Sequence, residues 1–203
     1  MLSAYNKREI EKSLKLITAP ENEPLSFEEV VAHLRLDEIE RPDIERLITM
    51  ARQHIDGREG WLGRALITQT WEFALDSFPC KEIVLPLAPV QQVVSVKYID
   101  QSGFEQTLAA EDYTITANEP VRIIPAYGKT FPAARCYPES VKIRFTAGYG
   151  DDGDDIPAPI KQAMLLLIGH FYENREIIVI GATVAEVPYA VDALLNPYRL
   201  SWL

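Results

Sequence analysis

The densest chemistry in the sequence is the run Asp151-Asp152-Gly153-Asp154-Asp155, four carboxylates within five residues. Hard cations take oxygen ligands, so a Ca²⁺ or Mg²⁺ site is the first chemistry such a run suggests. The EF-hand pattern is missing: there is no ligand alternation, no glycine at its required place and no closing glutamate. The other reading is a solvated loop whose charge favours the N-terminus of the helix that follows. His33, His54 and His170 form no HExxH or similar pair, so no metal site is expected from them. Cys80 follows Pro79 in a predicted turn with no recognisable base, and no GxSxG is present. Gly148-Tyr149-Gly150 before a helix resembles a phosphate loop only superficially. It lacks GxGxxG and the Walker lysine, and the aspartates that follow would repel phosphate. Two carboxylates could serve a glycosidase, but their separation is not a property of sequence. By elimination the chain is not expected to be an enzyme, nor to carry a cofactor or metal.

A second group of residues suits contact rather than catalysis. Trp61 lies in a glycine-rich stretch, and Tyr189, Tyr198 and Trp202 lie in a segment of weak secondary structure. Phe171, Tyr172, Ile177 and Ile178 add apolar bulk around the end of a predicted helix. Such residues are enriched at protein–protein interfaces, though each could equally fold back onto its own core.

The elements that must position these residues are legible in outline. A short helix is possible over Lys7 to Leu16. Ser26-Phe27-Glu28-Glu29 is a capping box that opens a helix to Leu36, with Leu25 and Val30 placed as a hydrophobic staple. Pro42 suits the first turn of a second helix, whose Ile44, Leu47, Ile48, Ala51 and Ile55 recur at helical spacing. From Leu66 the period becomes two. Trp71, Phe73 and Leu75 alternate with polar neighbours, and six or seven short strands follow up to Thr146. Asp155 and Pro157 then open a helix to about Arg175 that is apolar on more than one face. Such a helix must be central or be covered by another subunit. The expected fold is α+β: an N-terminal helical hairpin and a long C-terminal helix form a helical core carrying an inserted small antiparallel β unit. The expected parts are 1–65, 66–147 and 148–203.

Composition narrows the function classes. With 203 residues, 47% hydrophobic and 25% charged, the chain is an ordinary globular protein of one compact domain or two small ones. Its 30 acidic and 20 basic residues give a net charge of -10, with no basic stripe to grip DNA by its phosphates. The acidity fits either plain solubility or a surface past which DNA slides. Two cysteines in no metal spacing fit a reduced, intracellular protein. No signal-peptide region and no membrane-length apolar run is expected to address it to an envelope.

The order of several short motifs is more specific than any one of them. Leu16-Ile17-Thr18-Ala19-Pro20, Glu23-Pro24-Leu25-Ser26, His33-Leu34-Arg35 and Ala51-Arg52 come first. Gly63-Arg64-Ala65-Leu66-Ile67-Thr68-Gln69-Thr70-Trp71 and Leu85-Pro86-Leu87-Ala88-Pro89-Val90 follow, then Tyr98-Ile99-Asp100 and Asp112-Tyr113. Thr146-Ala147-Gly148-Tyr149-Gly150, Pro157-Ala158-Pro159-Ile160-Lys161-Gln162-Ala163 and Tyr172-Glu173-Asn174-Arg175-Glu176 complete the series. Over residues 14–200 this series resembles the head-to-tail connector (adaptor) family of tailed phages, in its longer members with a β-rich insertion. The resemblance implies a structural subunit at the virion neck, made in the bacterial host cytoplasm and assembling with itself into a 12-fold ring. Its implied partners are the portal protein and a tail-side connector or stopper. DNA would pass through without sequence-specific binding, and no membrane is involved. In such a ring Asp151, Asp152, Asp154 and Asp155 are candidates to face the channel, and the aromatic and apolar residues above to meet neighbours. The alternative is a ligand-binding β module, for carbohydrate for example, on a helical dock.

Overall fold

The structure is a computed structural model and describes residues 13–36, 41–174 and 189–200. Two sheets and four helices build two apolar clusters. The larger sheet has strand order β1-β2-β8-β4-β5, from β1 (Leu14–Thr18), β2 (Gln69–Leu75), β8 (Val141–Ala147), β4 (Val90–Ile99) and β5 (Glu105–Thr107). Every neighbouring pair in it is antiparallel. The smaller sheet is β3 (Ile83–Val84), β7 (Arg122–Pro125) and β6 (Tyr113–Ile115), also antiparallel.

Alternation explains the larger sheet. In β8, Val141, Ile143, Phe145 and Ala147 are buried while Lys142, Arg144 and Thr146 turn outward, because successive side chains of a strand face opposite ways. Trp71, Phe73 and Leu75 of β2 and Val93 and Val96 of β4 join the same cluster, and Ile83 and Ile123 reach it from the smaller sheet. Two register shifts in β4, at Val90/Gln92 and Val93/Ser95, bend that strand where it flanks β8.

The helices form the second cluster. In α1 (Phe27–Leu34) the capping box is closed: Glu29 N–H donates to Ser26 Oγ at 3.1 Å, and Ser26 N–H donates to Glu29 Oε2 at 2.8 Å. The helix stops at Arg35, which takes φ 54°, two residues before the predicted end. In α2 (Arg41–Ile55) the buried residues are Ile44, Ile48, Ala51 and Ile55, one stripe at helical spacing. The helix α3 (Ala158–Glu173) buries Ile160, Ala163, Met164, Leu167 and Ile168 and packs against α1, α2 and α4 (Tyr189–Leu195). Among the described residues no helix is long and apolar enough to cross a membrane.

The fold corrects the expected architecture. The chain is α+β, but it is not a helical core with a small β insertion. The strands face one another across an apolar cluster of their own and need no helix to cover them. Among the described residues the α-helices are four and short, 8, 15, 16 and 7 residues. The predicted helix to Leu16 also fails at its end. Leu14, Lys15 and Leu16 pair with Phe73, Glu72 and Trp71 as the edge strand beside β2. A free sheet edge offers a row of backbone partners that a lone apolar segment can take, whatever its local periodicity. Ser13 is helical, and residues 7–12 of that predicted helix lie outside the described residues.

Candidate assembly interface

The acidic loop is built by glycine and by its own carboxylates. Gly148 holds φ 145° where β8 ends, and a Cβ there would sit 2.5 Å from Thr68 N and 2.6 Å from Ile67 C. That contact lets Thr68 N–H donate to Gly150 O at 2.8 Å, tying the loop to the strand before β2. Asp155 turns back: its carboxylate occupies the space beside Gly150 and accepts from Asp152 N–H at 3.4 Å. Asn22 Nδ2 donates to Asp152 Oδ1 at 3.2 Å. Asp151 and Asp154 are left outward, and the Asp154 side chain is 100% exposed.

One cation braces this loop against two helices. Lys161 Nζ lies 2.6 Å from Glu29 Oε1 and 3.5 Å from Asp154 Oδ1, with 16% of its side chain exposed. Burial opposes its charge, but the two carboxylates outweigh burial and raise its pKa above the ordinary lysine value. Burial likewise works against the Glu29 carboxylate. The bonds from Lys161 and Ser26 prevail and lower its pKa. Among the described residues no group of three or more His, Cys, Asp or Glu is placed to hold a metal.

The predicted contact residues divide into three sets. Trp61 and Tyr198 fold back onto their own chain. Both pack against the helical cluster, the Arg199 guanidinium lies 4.8 Å from the Trp61 ring centroid, and Leu200 N–H donates to Leu62 O at 3.0 Å. Phe171 and Tyr172 are half-buried at the end of α3 and pack against the helical cluster, as do Leu165 and Leu166. Tyr189 is 86% exposed. Ile177, Ile178 and Trp202 lie outside the described residues.

Sequence reasoning missed the lock that fixes the Trp61–Tyr198 region. Arg64 donates to Glu119 through both terminal nitrogens, at 3.0 and 2.7 Å, and its Nε donates to Tyr198 O. Burial opposes the charge on Arg64, and Glu119 outweighs it and raises the guanidinium's pKa. The three partners are 55 and 134 residues apart in sequence, so no local pattern announces them. His33 and His54 are exposed, His170 is half-buried beside Phe171, and Cys80 and Cys136 are free and exposed. Half-buried apolar residues on α3, an exposed tyrosine and the braced acidic loop all reach the surface.

The chain is similar to a chain in the virion of a native gene transfer agent particle, with 27% identity, TM-score 0.75, and 94% of this chain covering 96% of that one. It is similar at 28% identity and TM-score 0.74, over the same shares, to a chain in the neck of an empty gene transfer agent particle computed with C6 symmetry. A chain from the neck of the native particle, computed with C12 symmetry, matches at 25% identity and TM-score 0.65, again over 94% and 96%. No curated protein matches. The head completion protein family matches residues 24–200. The chain belongs to the head completion protein family and is a structural head-to-tail connector subunit of a phage-like particle.

Proposed function

We propose that this subunit works as one segment of a closed ring in the virion neck, between the portal and the tail-side protein, around a channel for DNA. The observation that carries the reading is the match of nearly the whole chain to head completion proteins and to a neck chain computed with C12 symmetry. Twelve copies per ring is the number that symmetry supports. Half-exposed Phe171 and Tyr172 and exposed Tyr189 supply the apolar part of the contact between neighbours. The -10 charge keeps phosphate from adhering to the lumen, since DNA is released where no cation neutralises it. The reading assigns the chain no reaction, because its work is to join two assemblies.

Deleting the coding gene in a particle-producing strain tests this. DNA-filled heads that lack tails are expected, with tails restored when the chain is supplied in trans. Normally tailed particles from the deletion strain would overturn the reading, and so would heads blocked before packaging.

A further inference from the structure

The larger sheet is open at both ends, and its two edges differ. At one end β5 is short and polar, three residues of which Glu105 pairs with Lys97 at 2.8 Å. Short, charged edges are the usual guard against stray pairing. At the other end β1 has five residues and one charge, Lys15, and its Leu16 is 40% exposed. Phe104, just before β5, is 69% exposed. Among the described residues no strand lies beyond either edge.

The backbone fixes which groups each edge offers. Asp100 N–H donates to Phe104 O at 2.9 Å and Leu108 N–H to Val96 O at 2.8 Å, so Phe104, Gln106 and Leu108 turn their backbone groups to β4. Strand alternation then turns the N–H and C=O groups of Glu105 and Thr107 outward. At the other end the alternation starts from Ile99 N–H, which donates to Ser140 O at 2.8 Å. Carried through β4, β8 and β2, it turns the backbone of Lys15 towards Glu72 and leaves that of Leu14 and Leu16 on the open side. Side chains alternate as well. Lys15 and Glu105 lie on the sheet face away from the apolar cluster, whereas Leu14, Leu16, Phe104 and Gln106 share the face of Trp71 and Tyr98.

We propose that β1 of one copy pairs with β5 of the next, so that the sheets join head to tail around the neck ring. Because β1 and β5 run the same way, the added pair is parallel. A single register serves backbone, charge and apolar contact together. With Lys15 beside Glu105, Glu105 N–H reaches Leu14 O and Leu16 N–H reaches Glu105 O. On one face exposed Lys15 meets the Glu105 carboxylate, of which Lys97 takes only Oε1. On the other face Phe104 covers Leu14 and extends diagonally to Leu16, as an aromatic ring can across a strand pair. The two edges of one sheet are also the unlike patches that a closed ring requires, whereas β1 against β1 would stop at a dimer. Five strands at about 4.8 Å each span roughly 24 Å, so twelve copies close a belt roughly 90 Å across, with room inside for a duplex. The inference rests on the ring reading above and names the contact that closes the ring.

Cysteine pairing in particles tests the contact. Leu16→Cys with Gln106→Cys, in a chain also carrying Cys80→Ser and Cys136→Ser, puts one thiol on each edge, opposite each other in this register. Mild oxidation should give a ladder of covalent multimers on a non-reducing gel, because the opposed Cα atoms fall within the roughly 7 Å that a disulfide spans. Lys15→Glu should weaken the ladder roughly fivefold, since like charges directly opposite one another are destabilising. Adding Glu105→Lys should restore it, with urea midpoints checking that each variant is folded. An assembled ring without the ladder overturns the edge pairing and spares the ring. Dimers formed by Leu16→Cys alone overturn the head-to-tail order, and a ladder indifferent to Lys15→Glu overturns the register. Particles holding this chain in a single copy overturn the ring and the pairing together.

Discussion

Replacing Asp56 by alanine should open the joint between the two apolar clusters. Asp56 follows α2, and 7% of its side chain is exposed. Its Oδ1 accepts from Leu66 N–H at 2.7 Å, and both its oxygens lie 3.1 Å from Gln69 Nε2 at the start of β2. Leu66 is 0% exposed and Gln69 3%, so Asp56→Ala leaves two buried donors without an acceptor. Each such donor costs about 1–3 kcal/mol. Removing a buried carboxylate returns part of that cost, and Arg52 is not stranded, since Glu23 holds its Nε at 2.7 Å. The net loss should be about 2–4 kcal/mol, equivalent to roughly 5–15 °C in Tm for a chain of this length. Asp56→Asn keeps an acceptor for Leu66, and Gln69 can turn its amide, so it should cost less than about 1 kcal/mol. Urea unfolding followed by the fluorescence of buried Trp71 measures both. If Asp56→Ala fell within about 0.5 kcal/mol of the natural chain, or if asparagine cost as much as alanine, the reasoning from unsatisfied donors would be refuted.

Three further outcomes follow from the same structure. Burial raises the Asp56 pKa against its hydrogen bonds, so its contribution is fullest below the ordinary carboxylate range and is lost as pH rises through the folded value. Urea midpoints across mildly acidic to neutral pH should therefore shift in favour of Asp56→Asn relative to the natural chain as pH rises. Ser26→Ala removes one arm of the capping box and should cost about 1 kcal/mol by the same unfolding measurement. Tyr189→Ala removes a side chain with few contacts of its own. It should leave the urea midpoint within about 0.5 kcal/mol of the natural chain while lowering incorporation of the chain into particles, read by quantitative blotting.

How much of this was legible depended on the distance between cause and effect along the chain. The capping box at Ser26 and Glu29 is local and was readable. The alternation of Val141 to Ala147 is equally local, because a half-buried strand writes its period into four or five residues. The edge strand Leu14–Thr18 was not readable. Its Leu14, Leu16 and Ile17 fit a helical stripe as well as a strand, and its partner begins more than fifty residues later, at Gln69. The size of the β part is illegible for a related reason: whether short strands decorate a helical core or face one another is a matter of pairing, which no single strand encodes. Trp61 and Tyr198 illustrate the same limit for the contact surface. Their residue types suit an interface, but Arg64 and Arg199 hold that region to its own chain through long-range contacts.

The most direct test of the central claim is a reconstruction of the particle neck by electron cryo-microscopy, with the chain located by its fold. The account predicts a closed ring of copies between head and tail, each showing the five-stranded sheet and the helix Ala158–Glu173, around a lumen wide enough for duplex DNA. Finding the chain on the outer capsid surface, in a tail fibre or as a single unpaired copy would contradict it.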